Sequence, residues 1–120
     1  MKTWAVVGLG NNPERAAFGV AKLLQDNGHQ IIPVYPRAET VHGEVGYKTL
    51  SEIPGPVDVV DCFVNSTLVG KVVDEAIAIG AKAVWLQLDV IDNDAIARAQ
   101  AAGLITVMDR CPAIEYRKKS

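Results

Sequence analysis

"AKLLQDNGHQIIPV", Ala21 to Val34, is the stretch whose reading decides the fold. A helical pattern runs up to Gly28, and a continuous apolar run follows at once. A glycine just past a helix ends it in a left-handed turn at little steric cost. The same order of helix, glycine and strand returns twice. "DEAIAIGAKAVWLQL", Asp74 to Leu88, passes through Gly80, and "RAQAAGLITVMD", Arg98 to Asp109, passes through Gly103.

The helices show apolar residues three and four apart. Ala16, Val20, Leu23 and Leu24 share a predicted face in the first, and Val69, Val72, Val73, Ala76 and Ile77 in the second. The third, near Asp92 to Ala102, is alanine-rich, with Ile96 and Ala99 as inward candidates. The strands "WAVVG", "IIPV", "DVVDCF", "AVWLQL" and "LITVM" lack polar alternation. Strands of this kind are buried on both faces, which requires helices on both sides of a parallel sheet. The expected fold is therefore α/β: three layers around a doubly wound sheet of five parallel strands, in a single domain over residues 1–120.

One connection breaks the pattern. "YPRAETVHGEVGYKTLSEIPGP", Tyr35 to Pro56, is rich in Gly and Pro and contains at most a short helical turn at "TLSEI". An undersized crossover leaves part of one sheet face open, a usual place for a ligand.

The composition fits a soluble globular protein. Of 120 residues 49% are hydrophobic and 22% charged, and the net charge of −2 gives no basic excess for nucleic acid. No apolar run approaches membrane-spanning length, and strand-like residues from Thr3 onward leave no room for a signal peptide. The expectation is a cytoplasmic protein with neither nucleic acid nor membrane as partner. Cys62, Cys111, His29 and His42 lack metal-ligand spacing.

The ligand signal lies in "VVGLGNNPERAAFG", Val6 to Gly19. An apolar strand runs into Gly8-Leu9-Gly10, and the two glycines permit a tight turn and close approach of a phosphate. Asn12 is a helix-capping residue and Pro13 is favoured at a first helical position, so the first helix is expected to begin at Pro13. Its free N–H groups would then form an anion site beside the turn. Arg15, in that first turn, would oppose the helix dipole by roughly 0.3–1 kcal/mol unless an anion lies nearby.

NAD fits poorly. Its fingerprint requires a third glycine, and an acid at the end of the second strand. Here that strand ends "VYPRAE", with Arg37 in the region of the acid. An arginine there suits an additional phosphate on the adenosine ribose. Both NADP and coenzyme A (CoA) carry one, and the local chemistry leaves the two open.

"VVGLGNNPERAAFGVAKLL", "IIPVYPRAE", "VDVVDCF", "EAIAIGAKAVWLQL" and "VMDRCPAIEYR" closely resemble the small, stand-alone CoA-binding proteins, which are similar to the N-terminal CoA-binding domain of the succinyl-CoA ligase alpha chain. The resemblance runs from Trp4 to Arg117 and implies a Rossmann-like CoA-binding fold with CoA or acyl-CoA as ligand. It places the phosphate-binding turn on Gly8, Leu9, Gly10 and Asn11, and the basic residue near the ribose 3′-phosphate on Arg37, preceded by Pro36. The loop along the adenine falls on Phe63, Val64 and Asn65, with Arg15 and Phe18 beside the ligand. The chain departs from the family pattern at Gly10 (commonly Ser, Thr or Ala), Ala17 (often Ser), Val64 and Asn65 (usually one or two arginines) and Asp89 (usually glycine). Three of these changes remove a polar or cationic group and the fourth adds an anion, so weakened CoA affinity is expected.

No nucleophile–base pair is visible, and the expectation is a non-catalytic CoA-binding module. The alternatives are a small NADP- or nucleotide-dependent enzyme, and a degenerate module acting through protein contacts. Asp58 and Asp61 flank the third strand, where carboxylates commonly serve local backbone donors. Cys62 reads as packing. Cys111, just past the fifth strand on the ligand edge, has two readings: a buried structural cysteine, or a ligand-adjacent thiol able to exchange with CoA disulfide.

Overall fold

A computed structural model of the chain describes residues 3–110. The strands are β1 (Thr3–Val7), β2 (Gln30–Val34), β3 (Val59–Cys62), β4 (Ala83–Leu86) and β5 (Ile105–Val107). The helices are α1 (Ala16–Asp26), α2 (Val69–Ala78) and α3 (Asn93–Ala101). All five strands pair in parallel in the order β2-β1-β3-β4-β5, the expected doubly wound sheet. Gly28, Gly80 and Gly103 adopt positive φ just after the three helices, as the sequence requires.

Alternation along the strands divides the core in two. Ala5, Val7, Val60, Cys62, Val84 and Leu86 face α2, α3 and crossover residues such as Leu50 and Val57. Trp4, Val6, Val59 and Ala83 face α1, which buries Ala17, Val20, Ala21 and Leu24 against them. Ala16 is exposed, and Ala17 takes the inward position expected of it. In α3, Ala95 and Ala99 are buried, Ile96 packs at the margin, and Asp92 caps the helix by accepting the Ala95 N–H at 3.0 Å. The crossover after β2 contains a single 3-10 turn, Leu50–Glu52, where the short helical turn was expected.

The start of α1 corrects the sequence reading. The helix begins at Ala16, three residues after Pro13. Asn12 Oδ1 accepts the Glu14 N–H at 3.0 Å, and the Arg15 N–H donates to the Asn12 carbonyl at 3.1 Å. This closes a tight turn with Asn and Pro in its first two positions, where both are favoured. Arg15 leaves that turn extended, with φ −81° and ψ 139°. Asn12 thus uses its side chain on a turn instead of a helix cap, and Arg15 stands outside the helix.

Asp61 also differs from expectation. Asp58 does serve a backbone donor, accepting the Thr3 N–H at 3.0 Å. Asp61 instead lies inside β3, fully buried, and accepts from Gln87 Nε2. Its other oxygen has no hydrogen-bond partner among the described residues.

Candidate functional site

The carboxyl ends of β1 and β3 meet at the point where the strand order reverses, the usual ligand position in open α/β sheets. Two hydrogen bonds extend the ladders past the strands: Gly8 N–H to the Val34 carbonyl and Phe63 N–H to the Val7 carbonyl, both at 2.8 Å. The loops after β1 and β3 are in direct contact. Gly8 has φ +99°, and a Cβ there would collide with the Phe63 carbonyl oxygen. Only glycine combines that dihedral with so close an approach.

Two clefts adjoin at this junction and share Gly8, Arg15 and Tyr35. The larger, about 500 Å³, has Pro36, Lys48 and Thr49 on one wall. Phe63, Val64, Asn65, Lys71 and Glu75 form the other. The smaller, about 350 Å³, lies over the glycine turn and is lined by Gly10, Asn11, Asn12, Arg37 and Glu39. Four cations, Arg15, Arg37, Lys48 and Lys71, therefore border one continuous depression. None of them forms an ion pair among the described residues. The carboxylates that line the same clefts engage backbone amides instead of these cations: Glu75 accepts the Leu50 N–H at 2.7 Å and Glu39 the Asn11 N–H at 2.9 Å.

Most residues expected at the site converge on it: Gly8, Gly10, Asn11, Arg15, Pro36, Arg37, Phe63, Val64 and Asn65. Asn65 has a further task, because its Oδ1 accepts both the amide and the hydroxyl of Thr67 at 3.0 Å and shapes the approach to α2. Leu9 and Phe18 line neither cleft. Leu9 is fully buried against α1, and the Phe18 ring packs on His42 with centroids 4.3 Å apart. Cys111 lies outside the described residues.

Lys48, Lys71, Glu39 and Glu75 were not anticipated. Lys48 comes from the irregular crossover and reaches the cleft because Tyr47 pairs beside β2. Its N–H donates to Pro33 O, and its carbonyl accepts from Tyr35 N–H, both at 2.9 Å. No local periodicity announces that pairing. Lys71 could have been found, since the first turn of the helix after the third strand points to the same sheet edge.

Burial raises the Asp61 carboxyl to about 8, against which the Gln87 hydrogen bond acts only in part. Burial, and secondarily the neighbouring Asp61 charge, push the Cys62 thiol far up, in keeping with a packing role. A separate cleft of about 480 Å³ beside the amino end of β2 has Glu44 as its only charged lining residue among the described residues. Among the described residues no helix is long and apolar enough to cross a membrane.

The chain is similar to several known proteins. A Bacillus subtilis protein, YneT, whose function is uncharacterized, is 34% identical over 110 residues, covering 92% of this chain and 82% of its own. The alpha subunit of acetate–CoA ligase (ADP-forming) II from Pyrococcus furiosus is 36% identical over 81 residues. That match takes in 67% of this chain but only 18% of the ligase subunit. A hypothetical protein from Pyrococcus horikoshii superimposes with a TM-score of 0.93 at 39% identity, over 98% of this chain and 82% of that one. The CoA binding domain family matches residues 2–117. With a glycine turn and four cations gathered at the switch point of its sheet, the chain belongs to the CoA binding domain family.

Proposed function

We propose that this chain is a non-catalytic module that binds CoA or acyl-CoA. The observation that carries the proposal is the junction of the two clefts, where Arg15, Arg37, Lys48 and Lys71 surround a glycine turn without ion-pair partners among the described residues. CoA is elongated and carries a pyrophosphate and a ribose 3′-phosphate, so it needs several cations spread along a groove. In this reading the turn Gly8 to Asn11, with Leu9 packing beneath it, seats the pyrophosphate together with Arg15. Arg37, after Pro36, meets the 3′-phosphate, and Phe63, Val64 and Asn65 form the wall beside the adenine. Lys48 and Lys71 restore positive charge to a cleft that lacks the arginines usual at Val64 and Asn65.

Calorimetric titration with CoA, dephospho-CoA, NADPH and NAD tests the reading. CoA is expected to bind tightest. A charge-assisted hydrogen bond contributes roughly 1.5–3 kcal/mol. Arg37→Ala should therefore weaken CoA about ten- to hundredfold while changing dephospho-CoA much less. Tighter binding of NADPH than of CoA would replace this reading with a nucleotide-dependent enzyme. Equal losses for CoA and dephospho-CoA would remove Arg37 from the 3′-phosphate.

A further inference from the structure

The glycine turn already holds an anion, and the anion belongs to the chain itself. Glu39 Oε1 accepts the backbone N–H of Asn11 at 2.9 Å. A Cβ on Gly10 would lie only 3.0 Å from the same oxygen, so the carboxylate rests against the bare Cα of the turn. Asn11 Nδ2 donates to the Thr40 carbonyl at 2.9 Å, which docks the segment around Glu39 onto the turn. Glu39 shares the smaller cleft with Arg15 and Arg37 but forms an ion pair with neither. Its carboxylate sits on the amide of the turn, the group that a phosphate oxygen would use.

We infer that Glu39 is an internal competitor for the phosphate seat at the glycine turn, and that a phosphorylated ligand binds by displacing its carboxylate. The inference rests on the reading of this turn as the pyrophosphate seat. Three features make the displacement feasible. The carboxylate is only partly buried, so it can return to water when released. The preceding residue, Ala38, has φ +50°, a left-handed conformation costly for a residue with a Cβ, so the docked segment is held under local strain. The incoming group is also the stronger partner, because a pyrophosphate brings more charge and more acceptor oxygens to Asn11, Arg15 and Arg37 than one carboxylate does. The competition sets a threshold: a weak anion with a single charge cannot dislodge Glu39, whereas a diphosphate can. Glu39 thereby becomes a specificity-determining residue that favours polyanionic ligands over metabolites with one carboxylate.

The test measures binding of inorganic pyrophosphate, acetate and CoA by the wild-type chain, Glu39→Gln and Glu39→Ala, with the melting temperature of each. Glu39→Ala is expected to raise pyrophosphate affinity about tenfold, the effect of removing one charge-assisted bond that binding must break. Glu39→Gln keeps an acceptor for the Asn11 amide but loses the charge, so its gain should be smaller, with an unchanged melting temperature. Acetate should become detectable only in Glu39→Ala. Pyrophosphate affinity that is unchanged, reduced or absent in Glu39→Ala overturns the inference and makes Glu39 a structural brace of the turn. If pyrophosphate tightens as expected while CoA binds none of the three proteins, the competitor role stands and the CoA reading falls. If CoA binds all three equally and pyrophosphate does not tighten, the CoA reading stands and the competitor role falls.

Discussion

The two faces of the sheet solve the same burial problem with different materials. On the face covered by α2, α3 and the crossover, the strands present Ala5, Val7, Val60, Val84 and Leu86, aliphatic side chains interrupted only by the Cys62 thiol. On the α1 face they present Trp4, Val6, Val59 and Trp85. Asp61 points there too, because its neighbours Val60 and Cys62 point the other way. Among the described residues two buried side-chain polar atoms lack hydrogen-bond partners, Trp4 Nε1 and Asp61 Oδ2, and both belong to this second face. Its tryptophans lie 5.7 Å apart, and Trp85 Nε1 donates to the Arg110 carbonyl at 2.7 Å. The strands present no carboxylate to the first face; to the second they present one whose ionisation is costly. A buried parallel sheet therefore need not be equally apolar on its two sides.

The largest effect is expected on the aliphatic face. Leu86 is fully buried there, and Leu86→Ala should cost about 3 kcal/mol through lost transfer energy and the cavity left behind. Urea titrations at pH 5 and pH 9 should give the same loss. A cost that changes with pH would mean that the two faces are coupled.

Asp61→Asn comes next and probes the other face. The folded-state value of about 8 stands above the ordinary carboxylate value of 3.8. Between these values the folded protein keeps a proton that the unfolded chain has released. Wild-type stability is therefore greatest below the lower value, falls as pH rises, and stops falling above the higher one. Asparagine offers Gln87 the same kind of acceptor and never ionises. The substitution should leave stability near unchanged at pH 5 and add on the order of 2 kcal/mol at pH 9. Parallel pH profiles for the two proteins would show that Asp61 does not carry the pH dependence.

The smallest effect is expected at Asp89, in a loop belonging to neither face. Its φ is +69°, in the left-handed region that favours glycine. Its amide donates to Asp109 Oδ1 at 2.7 Å, a bond that glycine would keep. Asp89→Gly should stabilise by about 0.5–1 kcal/mol at every pH, seen as a small rise in melting temperature. A fall would show that the Asp89 side chain has a task of its own.

Much of this was legible in the sequence, for local reasons. Gly28, Gly80 and Gly103 mark helix ends because the left-handed conformation is cheap only for glycine. The apolar runs mark strands buried on both sides. The Gly8 turn marks the site because a close approach of backbone excludes a Cβ. The errors came from competition between local options. Asn12 and Pro13 suit a helix start and a tight turn equally well, and the turn prevailed when the Asn12 side chain took the Glu14 amide. Apart from that turn, Leu9 lies in the α1 core and Phe18 packs at its margin, so neither lines a cleft. The stretch "GAKAVWLQL" acquires a physical role: its Gln87 is the sole hydrogen-bond partner of the buried Asp61 carboxyl among the described residues.

The sequence by itself determined the five strands, the three helices, the parallel arrangement and the edge of the sheet where the two clefts lie. These depend on side-chain periodicity and on single-residue backbone preferences, both of which act over a few neighbouring positions. Tertiary structure alone decided that Lys48 and Lys71 share a cleft with Arg15, that Glu39 reaches the amide of Asn11 across 28 positions, and that Gln87 holds Asp61 across 26. Such pairings follow from how strands are ordered and how an irregular crossover is laid against β2. No local preference encodes a distance between residues so far apart in the chain.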